Sequence, residues 1–255
     1  MMNVMVMADR LINGGEMTKI MKVVMVLFIF LCSDMAMAGG VGYSRNRLVY
    51  PAGEKAISIS VSNGSDLTYL VQAGVSANPG TRVPAPFVVT PPLFRLEANG
   101  ESVMRIVRTG GEMPADRESV FYFVASTIPA QPAPDGKPLP AGQTGASLSI
   151  AMRTTLKLFW RPAGFTISPE KAPGMMRFVR VADGVVVKNP TPYYQSFALL
   201  EFDGKAQDID QQPSMVPPFG ELHFSATTPV QNVTWFVMND FGGTTPKVTQ
   251  AVVGK

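Results

Sequence analysis

Apolar and polar residues alternate with a period of two along most of this chain. Ile57, Ile59 and Val61 share one face of a segment at 56–61, which is the period of a half-buried strand. The same reasoning predicts strands at 67–75, 87–89, 101–107 and 120–128. Beyond residue 164 it predicts them at 176–181, 184–189, 196–202, 221–226, 233–239 and 247–253. Turn formers such as Asn63-Gly64 and Pro91-Pro92 punctuate the pattern, and no long stretch keeps a helical period. Many short strands with Pro and Gly breaks predict an all-β protein made of sandwiches. Arg161-Pro162-Ala163-Gly164 interrupts the series. About 120 residues precede that break and about 90 follow it, and each part suits one immunoglobulin-like sandwich. The predicted domains are 39–161 and 162–255.

The longest alternation runs from Ser147 to Phe159. Leu148, Ile150, Met152, Leu156 and Leu158 take one parity, while Ser149, Ala151, Arg153, Thr155 and Lys157 take the other. A mean strand holds about five or six residues, so this one is long. The segment before it, 129–145, carries five prolines among glycines and is predicted to be a loop. A long apolar row beside a loop is either a half-buried strand or an exposed edge. Exposed edges are normally suppressed, and one that is kept serves to pair with a strand of another chain.

The N-terminal region carries a targeting signal. Residues 23–32 form an uninterrupted apolar run, preceded by Lys19 and Lys22 and followed by Ala36-Met37-Ala38. The run is too short to cross a bilayer and has the layout of a cleavable signal peptide, 1–38, with cleavage after Ala38. Met17 is the expected start, because it gives the charged and apolar parts ordinary lengths. Leu31 is too bulky for a lipoprotein motif at Cys32.

Composition narrows the chemistry further. The chain has one Cys and one His; the Cys leaves with the signal, so no disulfide framework and no Cys-rich zinc site is expected. The net charge of +3 is spread without a basic run, which is no footprint for nucleic acid. No metal or cofactor is expected. A hydrolase would have to use His223 as its base, but Leu222 and Phe224 take the inward parity and leave His223 facing solvent. Asp208 and Asp210 sit in a polar stretch and read as a solvated turn.

Five motifs stand in a telling order: Arg47-Leu48-Val49-Tyr50-Pro51-Ala52-Gly53, then Asp116-Arg117-Glu118-Ser119 to Tyr122. Thr155-Leu156-Lys157-Leu158-Phe159-Trp160-Arg161-Pro162, Asn189-Pro190-Thr191-Pro192-Tyr193-Tyr194 and Asn239-Asp240-Phe241-Gly242-Gly243 follow. Together they resemble the periplasmic pilus-assembly chaperones of the chaperone–usher pathway, the PapD-like family, over residues 41–253. The resemblance implies two immunoglobulin-like sandwiches joined at an angle, with a cleft between them. It implies a non-enzymatic, periplasmic chaperone that lends its long strand to the open groove of a pilus or fimbrial subunit and delivers that subunit to an outer-membrane usher.

By motif position the donor strand is Ser147 to Phe159, with Leu148, Ile150 and Met152 as its plugs. Arg47 and Lys157 occupy the positions that anchor the subunit's terminal carboxylate, and charge-assisted bonds suit that task. Glu118, Arg161 and Asp240 match a charged network between the domains. Two departures stand out: the Pro-rich insert is longer than in the short-loop branch, yet the cysteine pair of the long-loop branch is missing. A secreted fibre subunit or adhesin is the rival reading. It fits less well, because residues 39–46 lack the alternating apolar row of an N-terminal donor extension.

Overall fold

A computed structural model of the protein describes Lys22 and residues 40–130 and 150–254. The predicted cleavage site, nearly all of the signal segment, most of the Pro-rich insert and Leu148 lie outside the described residues.

The first half of the chain forms two facing sheets. One contains β1 (Val41–Tyr43), β3 (Ile57–Asn63), β7 (Glu101–Arg108) and β5 (Phe87–Thr90), in that spatial order. The other runs β2 (Arg47–Pro51), β9 (Met152–Arg161), β8 (Ser119–Pro129), β4 (Tyr69–Ser76) and β6 (Leu93–Leu96). Ile59 and Val61 of β3 point inward with Met104 and Ile106 of β7, and meet Leu48, Val71, Phe123 and Leu158 of the opposite sheet. This is the alternation read from the sequence, closed into a sandwich core.

The second half repeats the plan. A three-stranded sheet is ordered β10 (Arg177–Val181), β11 (Gly184–Lys188), β15 (Glu221–Ser225). It faces a sheet ordered β13 (Lys205–Ala206), β12 (Gln195–Phe202), β16 (Asn232–Val237), β17 (Val248–Ala251), with β14 (Met215–Val216) also on β12. Phe178, Val185, Phe197, Leu200, Phe224 and Trp235 fill the space between them. The two cores share no residue, so the fold is two immunoglobulin-like sandwiches in series.

The structure corrects the extent of the long strand. Among the described residues its ladder with β8 begins at Thr127–Met152, and Ile150 and Ala151 are irregular; the predicted positions 147–149 lie outside the described residues. Strand β8 ends at Pro129, and a proline supplies no N–H to continue a ladder. At the other end the strand continues past Phe159 to Arg161, which pairs with Pro51 and is stopped by Pro162. Strands β1, β2, β6, β13 and β14 were not predicted.

Candidate functional site

The chemistry predicted from the motifs converges on β9. Strand β2 runs parallel to it and covers only its second half, from the pair Arg47–Lys157 to Pro51–Arg161. On its other side β9 pairs with β8 throughout, from Met152 to Trp160. From Met152 to Leu156, therefore, one edge of β9 has no strand beside it among the described residues. Two of the three predicted plugs lie there or just before it: Ile150 is 64% exposed and Met152 is 47% exposed. Leu156 and Leu158, of the same parity, pack into the first core. The apolar row thus emerges from the sandwich and continues into solvent.

Arg47 and Lys157 sit where that open edge begins. Arg47 is only 5% exposed. Its Nη1 donates to the carbonyls of Met238 at 2.7 Å and Asn239 at 3.3 Å, in the second sandwich. Its Nε is shielded and has no partner. The guanidinium lies 4.4 Å over the Phe159 ring centroid. Burial lowers the pKa of Arg47, opposed by the charges of Asp240 and Glu118. Lys157 is half-buried, and burial followed by the nearby Arg47 charge lowers its pKa. Neither cation forms a salt bridge with a carboxylate among the described residues. Two neighbouring, partly desolvated cations without a direct ion pair are chemically suited to an anion.

The predicted charged network is brought together. Arg161 Nε donates to Glu118 Oε1 at 2.8 Å, while Nη1 and Nη2 grip the two oxygens of Asp240 at 2.5 and 2.8 Å. The second oxygen of Glu118 accepts the Tyr194 amide at 2.8 Å. Glu118 is almost fully buried; burial raises its pKa, and the Arg161 charge and the Tyr194 amide pull it back. Burial would lower the pKa of Arg161, but its bonds to Asp240 and the charges of both carboxylates raise it. The guanidinium fork matches two carboxylates at once, and it ties β8 and β9 to the second sandwich.

Local hydrogen bonding explains how the partners arrive. Buried Asn189 donates through Nδ2 to the carbonyls of Tyr193 at 2.7 Å and Pro217 at 3.0 Å. Its Oδ1 accepts from the Thr191 amide and hydroxyl; these bonds hold the 189–194 loop, which presents the Tyr194 amide to Glu118. Asn239 Oδ1 likewise accepts the amides of Phe241 and Gly243, both at 3.0 Å, and shapes the turn that carries Asp240. Gly242 adopts φ +87°, and its carbonyl accepts from Asn46 Nδ2 at 2.9 Å. A Cβ at Gly242 would overlap the Asn46 side chain. A cavity of about 190 Å³ opens at the same junction, lined by Arg47, Arg161, Tyr194 and Asp240 among others.

Three contributors escaped the sequence reading: Phe159, the Asn46–Gly242 contact and the carbonyls of residues 238–239. The run Leu158-Phe159-Trp160 was a usable signal, since three consecutive apolar residues in an alternating strand indicate burial on both faces. The other predicted features lie away from this site. His223 is exposed and its Nε2 is 3.0 Å from Asp183 Oδ1. Asp208 Oδ1 accepts the amides of Asp210 and Gln211, which is a solvated turn. Among the described residues no cluster of three or more His, Cys, Asp or Glu could hold a metal ion, and no helix is long and apolar enough to cross a membrane.

Known proteins resemble this chain in sequence and in fold. The family described as "Pili and flagellar-assembly chaperone, PapD N-terminal domain" matches residues 40–166. "Pili assembly chaperone PapD, C-terminal domain" matches residues 171–249. The chain is 36% identical over 234 residues to "Probable fimbrial chaperone protein ElfD" of Escherichia coli O157:H7, covering 90% of this chain and 95% of that protein. It is 37% identical over 220 residues to "Chaperone protein HifB" of Haemophilus influenzae, covering 83% and 88%. Among solved structures, the Salmonella enterica SafA pilin in complex with the SafB chaperone matches with a TM-score of 0.71 at 33% identity. That match covers 84% of this chain and 96% of the other.

Proposed function

The chain belongs to the family of pili- and flagellar-assembly chaperones, and on that premise we propose that it caps pilus or fimbrial subunits by donating the open edge of β9. The protein works in the periplasm, reached through a signal peptide at 1–38, and hands each subunit to an outer-membrane usher. It performs no catalysis. The first domain, 39–161, carries the donor strand, and the second, 162–255, completes the cleft.

A subunit whose immunoglobulin-like fold lacks a strand exposes its own core and an unpaired backbone edge. Strand β9 supplies both missing parts. Its backbone from Met152 to Leu156 completes the ladder, satisfying groups that would otherwise be orphaned. Leu148, Ile150 and Met152 enter the groove, and each contributes roughly 1.5–3 kcal/mol on full burial. Arg47 and Lys157 bind the subunit's C-terminal carboxylate at the end of that edge. This sets the register, because a slip by one residue would turn every plug to the wrong face. Glu118, Arg161 and Asp240 fix how the two domains meet.

The observation that carries this reading is the half-covered strand: an apolar row leaves the core and runs along an edge with no strand beside it among the described residues, ending at two cations that form no salt bridge there. Co-expression with a fimbrial subunit from the same organism, followed by recovery of the pair from the periplasm, tests it. A stable one-to-one complex is expected. A subunit that accumulates equally well without this chain would overturn the reading.

A further inference from the structure

Phe159 is fully buried yet belongs to neither core. On β9 it has the parity of Lys157, opposite to the core-facing Leu158 and Trp160. Its ring packs instead between elements of the two domains, with the Arg47 guanidinium 4.4 Å from its centroid and the Tyr194 ring 5.6 Å away at 48°. We propose that Phe159 and Tyr194 form an aromatic platform that orients the Arg47 guanidinium for an incoming carboxylate. Both are positioning residues for recognition of the subunit's C-terminus, and the proposal rests on the function set out above.

Three observations carry it. First, a buried Arg without a carboxylate of its own needs another restraint, and the face of a ring supplies one because the planar guanidinium stacks on it. Second, Nη1 is already committed to the carbonyls of Met238 and Asn239, so the plane of the fork is defined by one edge and one face. Third, the contacts close into a circuit. Arg47 holds residues 238–239; the next residue, Asp240, holds Arg161; Arg161 holds Glu118; Glu118 holds the Tyr194 amide; Tyr194 packs on Phe159, and Phe159 lies under Arg47. The anchor and the interdomain network are therefore one structure. Displacing the platform tilts the fork without removing any charge.

The test is calorimetric titration of the periplasmic protein with a synthetic peptide of the C-terminal strand of a fimbrial subunit from the same organism, as free acid and as C-terminal amide. The unaltered protein prefers the acid. Phe159→Leu, which keeps bulk and loses the ring face, should weaken acid binding about tenfold and leave amide binding unchanged. Tyr194→Leu, at a less buried position, should act in the same direction, whereas Tyr194→Phe should retain the preference. Equal loss for acid and amide, or a full acid preference in both Leu variants, would overturn the platform. If the unaltered protein does not distinguish acid from amide, the carboxylate anchor falls and the platform with it.

Discussion

Arg47 and Lys157 are register partners on neighbouring parallel strands, and they form the first pair of that ladder. Everything on β9 before Lys157 lacks a strand on that side among the described residues. The cation pair therefore marks the boundary between the part of β9 that belongs to this fold and the part available to another.

The charge on Lys157 costs the free protein stability. Its pKa is lowered by burial and by Arg47, so the folded state loses its proton at a lower pH than the unfolded chain. Stability therefore rises with pH between the lowered value and the ordinary lysine value of about 10.4. Lys157→Met should make the isolated protein more stable at pH 7, with the advantage shrinking toward pH 10.5, and should abolish subunit recovery. Denaturant titrations of both proteins across that range check the first part, and co-purification checks the second.

Ile150 and Met152 contribute little to their own domain, because both are largely exposed. Ile150→Asp and Met152→Asp should leave the melting temperature within about 2 °C, since exposed substitutions change stability by no more than about 0.5 kcal/mol. Both should nevertheless cut the yield of complex more than tenfold, because a charge would enter the apolar groove. Melting curves alongside co-purification yields separate these effects.

Glu118 is paired on both oxygens. Glu118→Ala leaves the Arg161 charge half-compensated and the Tyr194 amide orphaned in a buried place. The expected cost is about 3–5 kcal/mol, read from chemical denaturation. Asp240→Asn is expected to be milder, because Asp240 is more exposed and the amide can still accept one bond. In solution scattering it should broaden the distribution of interdomain distances.

Gly242 is at a positive φ and meets Asn46 too closely for a side chain. Gly242→Ala should destabilise by about 1–3 kcal/mol and weaken the junction. Adding Asn46→Ala should recover the steric part of that loss, which a double-mutant cycle measures.

The sandwich class was legible because inward positions alternate cleanly, as Ile57, Ile59 and Val61 do. The charged trio and the cation pair were legible only through motif resemblance; nothing in the spacing of Glu118, Arg161 and Asp240 reveals that their side chains meet. Strand β2 escaped because its first residue is a buried Arg, whose place is explained only by a parallel neighbour far along the chain. The described β9 starts at Met152 although the apolar alternation in the sequence begins upstream of it. Where its ladder with β8 starts depends on where β8 ends, at Pro129, a tertiary fact. Parity alone does not reveal the role of Phe159, because the face opposite the core is here shared between solvent and a second domain.

The central claim is that β9 lends its open edge to a subunit, and backbone amide hydrogen exchange tests it most directly. In the complex, amides of Met152–Leu156 that point away from β8 should become strongly protected, while those already bonded to β8 change little. A complex that forms while the outward amides exchange as fast as in the free protein would contradict the account.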